Sequence, residues 1–193
     1  MNAPLELVPP GRQPRTWLFA LYVVLPLPIT GGALAWSRVA DGPRRLLADS
    51  MLLSSLTTFA GTALLTVSLW WLLDRAMRRH RLELGDGSLR VLTSFYSRTL
   101  RLPELRLDSA RVVDLQERPE FTPSLKTNGY ALPGFRSGHF RLRNGDSAFV
   151  AISGGQRVLW LPVRSGKGLL LQPRAPEALL CHLRELAKAT PRR

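Results

Sequence analysis

Residues 50–73, with the sequence SMLLSSLTTFAGTALLTVSLWWLL, decide the fold class of this chain. The stretch has 24 residues without an Asp, Glu, Lys or Arg, and Asp49 and Asp74 bracket it. About 20 apolar residues in a helix suffice to cross the ~30 Å hydrocarbon layer of a bilayer. We therefore predict a transmembrane helix over residues 50–73, and this excludes a purely soluble globular protein as the default class.

A second uncharged stretch, TWLFALYVVLPLPITGGALAWS, occupies residues 16–37 and is also long enough to cross a bilayer. Pro26 and Pro28 interrupt it. Because proline lacks an N–H and clashes with the preceding turn, we expect these residues to bend the helix, a defect that membrane helices tolerate.

An alternative treats residues 1–35 as a signal peptide with Ala33-Leu34-Ala35 as its cleavage site. The apolar run is longer than the core of roughly 7 to 15 residues in such peptides. Trp17 and Trp36 also lie at its two ends, where interfacial anchors are found. These features favour a retained helix over residues 16–37, although either reading leaves the C-terminal part in the cytoplasm.

The basic residues near the span ends predict the orientation. Six of them flank the spans on the terminal sides and three lie in the connection between them. Basic residues favour the cytoplasmic side. We predict a multi-pass membrane protein, with residues 1–15 as a cytoplasmic tail, residues 38–49 as a short external loop, and the C-terminal domain in the cytoplasm.

Residues 74–81 form a basic juxtamembrane segment. Each basic side chain there can gain about 1 kcal/mol from anionic lipid headgroups, although fixing the topology is an equally good explanation. The candidate lipid contacts are Arg75, Arg78, Arg79 and Arg81.

Small hydroxyl residues recur at four-residue spacing in the second span, with a glycine beside them. Such a face lets another helix approach closely, within a protein partner or a homo-oligomer. A solute pathway is less favoured, because neither span has a charged residue. The candidate packing residues are Ser54, Thr58, Gly61, Thr62 and Thr66.

Residues 74–193 carry 22 basic and 11 acidic side chains, which gives this segment a net charge of +11. The whole chain of 193 residues has a net charge of +13. Short alternating segments separated by turn residues predict a β domain over residues 82–188. Residues 82–84 and 89–93 form a predicted hairpin around Asp86-Gly87, residues 96–102 and 110–115 are further strands, and residues 116–132 look like an irregular connection.

A second predicted hairpin joins residues 138–143 to residues 147–152 through Asn144-Gly145-Asp146. A three-residue bulged turn would pair Leu142 with Ala148 and Phe140 with Val150, which collects the apolar side chains on one face.

Two more strands are predicted at residues 157–163 and 168–171, followed by a helix over residues 176–189 that begins at a proline. Its apolar face must be buried on the strands. The fold class that we predict is an α+β membrane protein in which a two-helix transmembrane hairpin precedes an antiparallel β-barrel or sandwich of about seven strands, capped by this C-terminal helix. The buried face comprises Leu179, Leu180, Leu183, Leu186 and Ala187.

Three segments carry a resemblance to a known family: TNGYALPGFRSGHFRLRNGDSAFV at residues 127–150, RVLWLPV at 157–163 and LLLQPRAPEALL at 169–180. Over residues 82–188 the chain resembles the membrane-associated bacterial pleckstrin-homology-like domain proteins. The resemblance implies a strongly bent antiparallel sheet of about seven strands capped by a helix. It implies no catalytic or ligand-binding residues, and eukaryotic phosphoinositide binding does not follow from it.

The sequence offers no support for enzyme chemistry, cofactors or metal. Gly134-Phe135-Arg136-Ser137-Gly138 lacks the order of a nucleophile elbow, and Ser165-Gly166-Lys167-Gly168 lacks the spacing of a phosphate loop. The three histidines and the one cysteine, Cys181, have no metal-ligand spacing. No nucleic-acid-binding motif accompanies the basic charge. We therefore predict a non-enzymatic protein that needs no cofactor and binds neither metal nor nucleic acid.

Two features could bind an anionic partner. The glycine-rich residues 127–138 could cradle an anion with Lys126 and Arg136, although such glycines more often only permit turns. Alternation places His139, Arg141 and Arg143 on the strand face opposite the apolar residues, which could contact acidic lipid or protein or could simply be solvated. The predicted function is a membrane-anchored module that binds a protein, peptide or anionic lipid, and the alternative is a structural subunit of a membrane complex.

Overall fold

The computed structural model describes residues 6–40, 48–79, 81–85, 87–93 and 96–189. The chain divides into two compact units. One is a helical unit of residues 15–75, and the other is a β unit of residues 76–193 together with residues 1–14. The Asp86 of the first predicted turn and most of the predicted loop, residues 41–47, lie outside the described residues.

The helices pair as an antiparallel hairpin. Contacts between them follow a constant register, because Phe19 packs edge-on against Trp70 at 5.4 Å between ring centroids and Gly31 lies beside Phe59. Arg15 reaches Asp74 in the same register. The helical segments are α1 (Arg12–Phe19), a π-helical turn (Ala20–Val24), α2 (Pro26–Ala40) and α3 (Ala48–Met77).

The first helix is interrupted just before Pro26, as the prolines indicate. The Leu25 N–H donates to the Ala20 carbonyl at 2.9 Å, five residues back, which is the bond of a wide π-helical turn. Proline disturbs the turn that precedes it, so the irregularity lies N-terminal to Pro26. Pro28 is harmless, because it lies in the first turn of α2, where N–H groups have no helical partner.

Two helical stretches of 25 residues, Arg12–Trp36 and Leu53–Met77, are long and apolar enough to cross a membrane. Only 11% of the apolar window in each is buried, unlike the core helix of a soluble protein. Large side chains such as Trp36, Val39, Leu64 and Leu65 are more than two thirds exposed. Apolar exposure on this scale marks a surface that meets lipid or another protein.

The β unit begins with a three-stranded antiparallel sheet of β1 (Arg81–Gly85), β2 (Ser88–Leu92) and β3 (Ser97–Arg101). Gly85 pairs with Ser88, so the first two strands form an antiparallel hairpin, as the sequence predicts. Leu82, Leu89 and Val91 are buried along β1 and β2, whereas Arg81 and Arg90 alternate with them and are exposed. In β3 the half-buried Arg98 lies on the same face as the buried Leu100.

A second sheet has six strands in the order β4-β8-β9-β7-β6-β5. Its pairings are antiparallel except that β7 runs parallel to β9. The parallel pair arises because the β8–β9 hairpin folds back and inserts β9 between β8 and β7. The strands are β4 (Arg111–Asp114), β5 (Pro123–Leu132), β6 (Phe135–Leu142), β7 (Ser147–Ile152), β8 (Arg157–Leu161) and β9 (Lys167–Leu171).

The predicted closed barrel is not formed, because the described strands make two separate sheets. The described residues form nine strands rather than about seven, and no pairing joins the two sheets into a closed barrel. The all-antiparallel prediction fails only at the β7–β9 pair, whose pairing depends on distant residues. The sheets instead share one hydrophobic core, in which Leu89 and Val91 of the small sheet join Phe149 and Leu169 of the large one.

The prediction of an irregular connection over residues 116–132 is wrong in its second half. Residues Pro123–Leu132 form β5, the longest strand of the large sheet, with two register shifts against β6. Most of its side chains are exposed, because it is an edge strand held mainly by backbone pairing. An alternating apolar pattern is therefore missing, which explains the error.

The turn between β6 and β7 has three residues, but it lies one position earlier than predicted. Gly145 takes a φ of +90° and donates to the Leu142 carbonyl at 3.0 Å, so the turn comprises residues 143–145. Phe140 consequently pairs with Ala148 rather than Val150, and Leu142 lies opposite Asp146. A shift of two residues leaves every side chain on its predicted face.

Both faces of the large sheet are buried, which the sequence did not indicate. One face packs against the small sheet and helix α4 (Pro176–Ala189), whose Leu179 and Leu183 are fully buried as predicted. The other face surrounds Phe121, from a short 3-10 turn between β4 and β5. Consecutive residues of β7, β8 and β9 are therefore buried, as in strands covered on both sides.

The N-terminal tail is part of the β unit. Leu7 forms a β-bridge with Pro173 and is 4% exposed within the shared core. The Val8 N–H donates to the Gln172 carbonyl, and the Arg174 N–H donates to the Glu6 carbonyl. Residues that precede the helices are thus paired with residues that follow them.

Candidate anion-binding site

His139 lies on β6, on the face that meets the shared core. Its ring packs edge-on against Phe149, its pairing partner on β7, at 5.3 Å between centroids. Tyr96 contacts it from the small sheet at 6.2 Å. The residue is half-buried between the two sheets, so the solvated-face interpretation does not hold for it.

A lateral row of polar residues crosses three strands next to His139. Arg141 on β6 pairs with Ser147 on β7, and Ser147 pairs with Lys167 on β9. Residues opposite one another in a sheet present their side chains on the same face, and neighbouring strands are about 4.8 Å apart. Arg141 and Lys167 therefore lie on either side of Ser147, all three residues being exposed, and the Arg141 Nε donates to the Gly145 carbonyl at 3.1 Å.

Arg98 of β3 joins this row from the small sheet. Its Nη2 donates to the Lys167 carbonyl at 3.4 Å. Its Nη1 is buried and has no hydrogen-bond partner among the described residues. The resulting group of side chains is called the cationic cluster and consists of Arg98, His139, Arg141 and Lys167.

A cavity of about 190 Å³ opens beside the cluster. The Thr127 hydroxyl donates to the His139 carbonyl at 3.0 Å, which fixes β5 at its rim. The cavity combines a serine hydroxyl, an ammonium group and an imidazole with apolar walls. Its lining residues are Thr127, His139, Phe140, Ser147, Ala148 and Lys167.

Burial and two neighbouring charges act on His139. Burial lowers the pKa of His139, and the charges of Arg98 and Lys167 lower it further. Burial also lowers the pKa of Arg98, whereas the charge of Glu104 acts in the opposite direction. Positive groups that repel one another at this range favour an anion between them.

The other predicted anion-binding residues lie apart from the cluster. Arg136 donates from Nη1 to the Pro123 carbonyl at 3.2 Å and lines a separate cavity of about 460 Å³. Lys126 is exposed on β5, and Arg143 is exposed in the turn rather than on the strand. The structure thus brings together two of the five candidates, His139 and Arg141, with Arg98 and Lys167.

Two glycines of residues 127–138 have a structural role. Gly129 pairs with Gly138, and a methyl group on Gly129 would lie 2.5 Å from the Ser137 carbonyl oxygen. Gly138 also has a φ of +118°, which residues with a side chain rarely adopt. These glycines let β5 approach β6 closely, which is the alternative to an anion cradle.

The hydroxyl stripe of α3 is satisfied within its own helix. Thr58 and Thr62 donate to the carbonyls four residues back, at 2.8 and 2.9 Å, and Thr66 donates to the Ala63 carbonyl at 3.0 Å. Thr66 is buried and Thr62 half-buried, whereas Ser54, Thr58 and Gly61 are exposed. The exposed residues of the stripe, Ser54, Thr58 and Gly61, lie in the N-terminal half of α3.

The juxtamembrane arginines take different positions. The Arg75 guanidinium lies 5.5 Å from the centre of the Trp71 ring, as in a cation–π contact. Arg78 and Arg79 are exposed after the end of α3, and Arg81 is exposed at the start of β1.

Metal-ligating groups do not converge in the part of the chain that the structure describes, where no three His, Cys, Asp or Glu side chains share a site. Arg98 and Lys167 were not predicted as site residues, because nothing in the sequence around either indicates that two sheets bring them together. One weak signal was available, since Lys167 is one of three lysines beside 24 arginines.

Comparison with known proteins found no match to this chain among protein-family models, curated proteins or solved structures.

Proposed function

We propose that this protein is a non-enzymatic, membrane-anchored module whose β domain, with a pleckstrin-homology-like architecture, binds an anionic partner at the cytoplasmic face of the bacterial inner membrane. The observation that carries this proposal is the convergence of the cationic cluster on one side of the large sheet. A domain with a net positive charge attracts acidic lipid or protein surfaces.

Two exposed apolar helices support the membrane anchor. The pairing of Leu7 with Pro173 supports a two-span topology, because residues before and after the helices must then lie on the same side of the membrane. Anchoring would confine the domain to the membrane surface and raise its effective concentration for partners there.

Crosslinking of the tagged full-length chain in native membranes, followed by mass spectrometry, tests this function. A double variant of the cluster, Arg141→Glu with Lys167→Glu, should lose the crosslinked partner. The matched control, Arg118→Glu with Lys126→Glu, changes the same charges at exposed sites outside the cluster and should retain it. Equal recovery of the partner in both variants would refute a binding role for the cluster.

The alternative function is a structural subunit of a membrane complex, docked through the exposed part of the α3 stripe. Close helix packing depends on small residues, so leucine at Ser54, Thr58 and Gly61 should reduce the assembly size in mild detergent. An unchanged assembly size would count against the stripe as an interface. Loss of the partner in this variant, with recovery in the cluster variant, would favour the structural role.

A further inference from the structure

We propose that the cationic cluster, together with the Ser147 hydroxyl, forms a binding site for a phosphoryl group. The inference deepens the proposed function and rests on it only in treating the β domain as a binding domain. It names the chemistry of the ligand and adds Arg98, Lys167 and Ser147 as binding residues.

The hydrogen-bond donors of the proposed site come from three adjacent strands. Arg141, Ser147 and Lys167 lie side by side on three adjacent strands, so a ligand above Ser147 has one cation on each side. A phosphoryl group accepts hydrogen bonds in several directions, and both guanidinium and ammonium donors bind it with charge-assisted bonds. Strand pairing fixes the backbone positions of these three residues relative to one another.

The positive charge of the cluster is poorly compensated. Among the described residues, neither Arg141 nor Lys167 forms an ion pair. Glu104 is the carboxylate among them whose charge acts on Arg98. A doubly charged anion offsets repulsion that a single carboxylate would leave partly in place.

The hydrogen-bonding capacity of the Arg98 guanidinium is only partly used by the described residues. Arg98 Nη1 has no hydrogen-bond partner among the described residues, although an unpaired buried charged donor is costly. The same guanidinium already contacts the Lys167 carbonyl through Nη2. Arg98 therefore lies next to the residue whose side chain lines the cavity.

The test uses the full-length protein in nanodiscs of neutral lipid, with ¹³C-labelled histidine. The three histidines give three NMR signals, and His139→Gln identifies one of them. Sulfate serves as the first probe, because it keeps its double charge over the pH range in which histidine titrates. We expect a saturable shift of the His139 signal at constant ionic strength, with a dissociation constant on the order of 1 mM, and a raised pKa of His139 in the bound state.

Two lysine variants decide whether the site is the one described here. Lys167→Met should weaken sulfate binding at least about tenfold, whereas Lys126→Met should leave it unchanged. Both lysines are exposed, so both variants should fold. If Lys167→Met is unfolded nevertheless, Arg141→Gln provides a second test of the same site. Absence of a saturable shift, or equal effects of the two lysine variants, would overturn the proposal.

The source of the phosphoryl group is distinguished in separate titrations. Nanodiscs that contain phosphatidic acid present a lipid phosphomonoester, and glycerol phosphate presents a soluble one. A Lys167-dependent shift in either supports the site and assigns its source. A shift that is the same in phosphatidylglycerol of equal charge and that persists in Lys167→Met would show a general field effect and contradict a site. Intact sulfate binding without a crosslinked partner would reject the proposed function while leaving this site in place.

Discussion

Arg15 donates from Nε to Asp74 Oδ1 at 2.6 Å and from Nη2 to Oδ2 at 3.4 Å, which ties the start of the first apolar helix to the end of the second. The Asp74 side chain is only 8% exposed, whereas Arg15 is 39% exposed. A carboxylate so nearly buried requires a charged or hydrogen-bonding partner. This pair therefore fixes the register of the helical hairpin at its open end.

Replacing Asp74 by Asn should destabilise the helical hairpin by about 1 to 3 kcal/mol, because the buried hydrogen bonds to Arg15 lose their charge. The midpoint of thermal unfolding in detergent measures the effect. Asp108→Asn, an exposed site in the β unit, is the control and should change little. The exchange Arg15→Asp with Asp74→Arg should recover part of the loss, and an unfolding midpoint equal to wild type in Asp74→Asn would show that the pair is dispensable.

The N-terminal tail should stabilise the β unit through Leu7. The substitution Leu7→Ala removes most of a buried side chain from the shared core. It should lower the free energy of unfolding by about 2 kcal/mol, which is at the low end for such changes because the segment can relax. Leu125→Ala deletes the same atoms from a side chain that is 60% exposed and serves as the control. If both variants unfold at the same denaturant concentration, the tail does not support the domain.

His139 should make stability depend on pH. Its folded pKa lies below the ordinary value of 6.5, so between these two values the unfolded chain binds more protons than the folded one. Stability is therefore complete above about pH 6.5 and falls as pH drops through the folded pKa. The groups that face His139 in the cluster are Arg98, Arg141 and Lys167, whose charges do not change over this range.

His139→Gln should remove this part of the pH dependence. Because His80 and His182 contribute equally in both proteins, the difference between wild type and variant isolates His139. Unfolding midpoints at pH 5, 6, 7 and 8 measure it. A difference that stays constant across the series would contradict the lowered pKa.

Gly129→Ala should disrupt the β5–β6 pair. The added methyl group meets backbone rather than a flexible side chain, so relief requires a shift of the strand, at a cost of about 1 to 3 kcal/mol. Gly85→Ala in β1 has open space around the new methyl group and is the matched control. Denaturant unfolding compares the two, and equal stabilities would show that β5 can move without penalty.

The sequence was sufficient for elements whose pattern is local. The apolar stretches, the β1–β2 hairpin and the α4 helix from Pro176 follow from length, turn chemistry and helical spacing alone. The face of Phe140 and Leu142 was also predictable, because alternation survives the two-residue error in register. Prediction failed where distant segments decide the outcome.

Three features depend on such long-range pairing. β5 is an edge strand that carries little alternation, β9 inserts beside β7 only because of the β8–β9 hairpin, and Leu7 reaches the core from the far end of the chain. The residues of the candidate site are likewise distant from one another in the sequence. His139 and Arg141 were recognisable on one strand, whereas Arg98 and Lys167 join them from two others.

The proposed anchoring of the β domain at the cytoplasmic side of a membrane is tested most directly by the one cysteine of the chain, Cys181. It is exposed on α4, so a membrane-impermeant maleimide can label it wherever the reagent has access. A control variant, Cys181→Ser with Gly42→Cys, places the thiol in the predicted external loop. We predict that the maleimide labels the control variant in intact spheroplasts, and labels Cys181 only after the membrane is permeabilised. The protein should also remain in the membrane fraction after alkaline extraction. Labelling of Cys181 in intact spheroplasts, or release of the protein into the soluble fraction, would contradict the account.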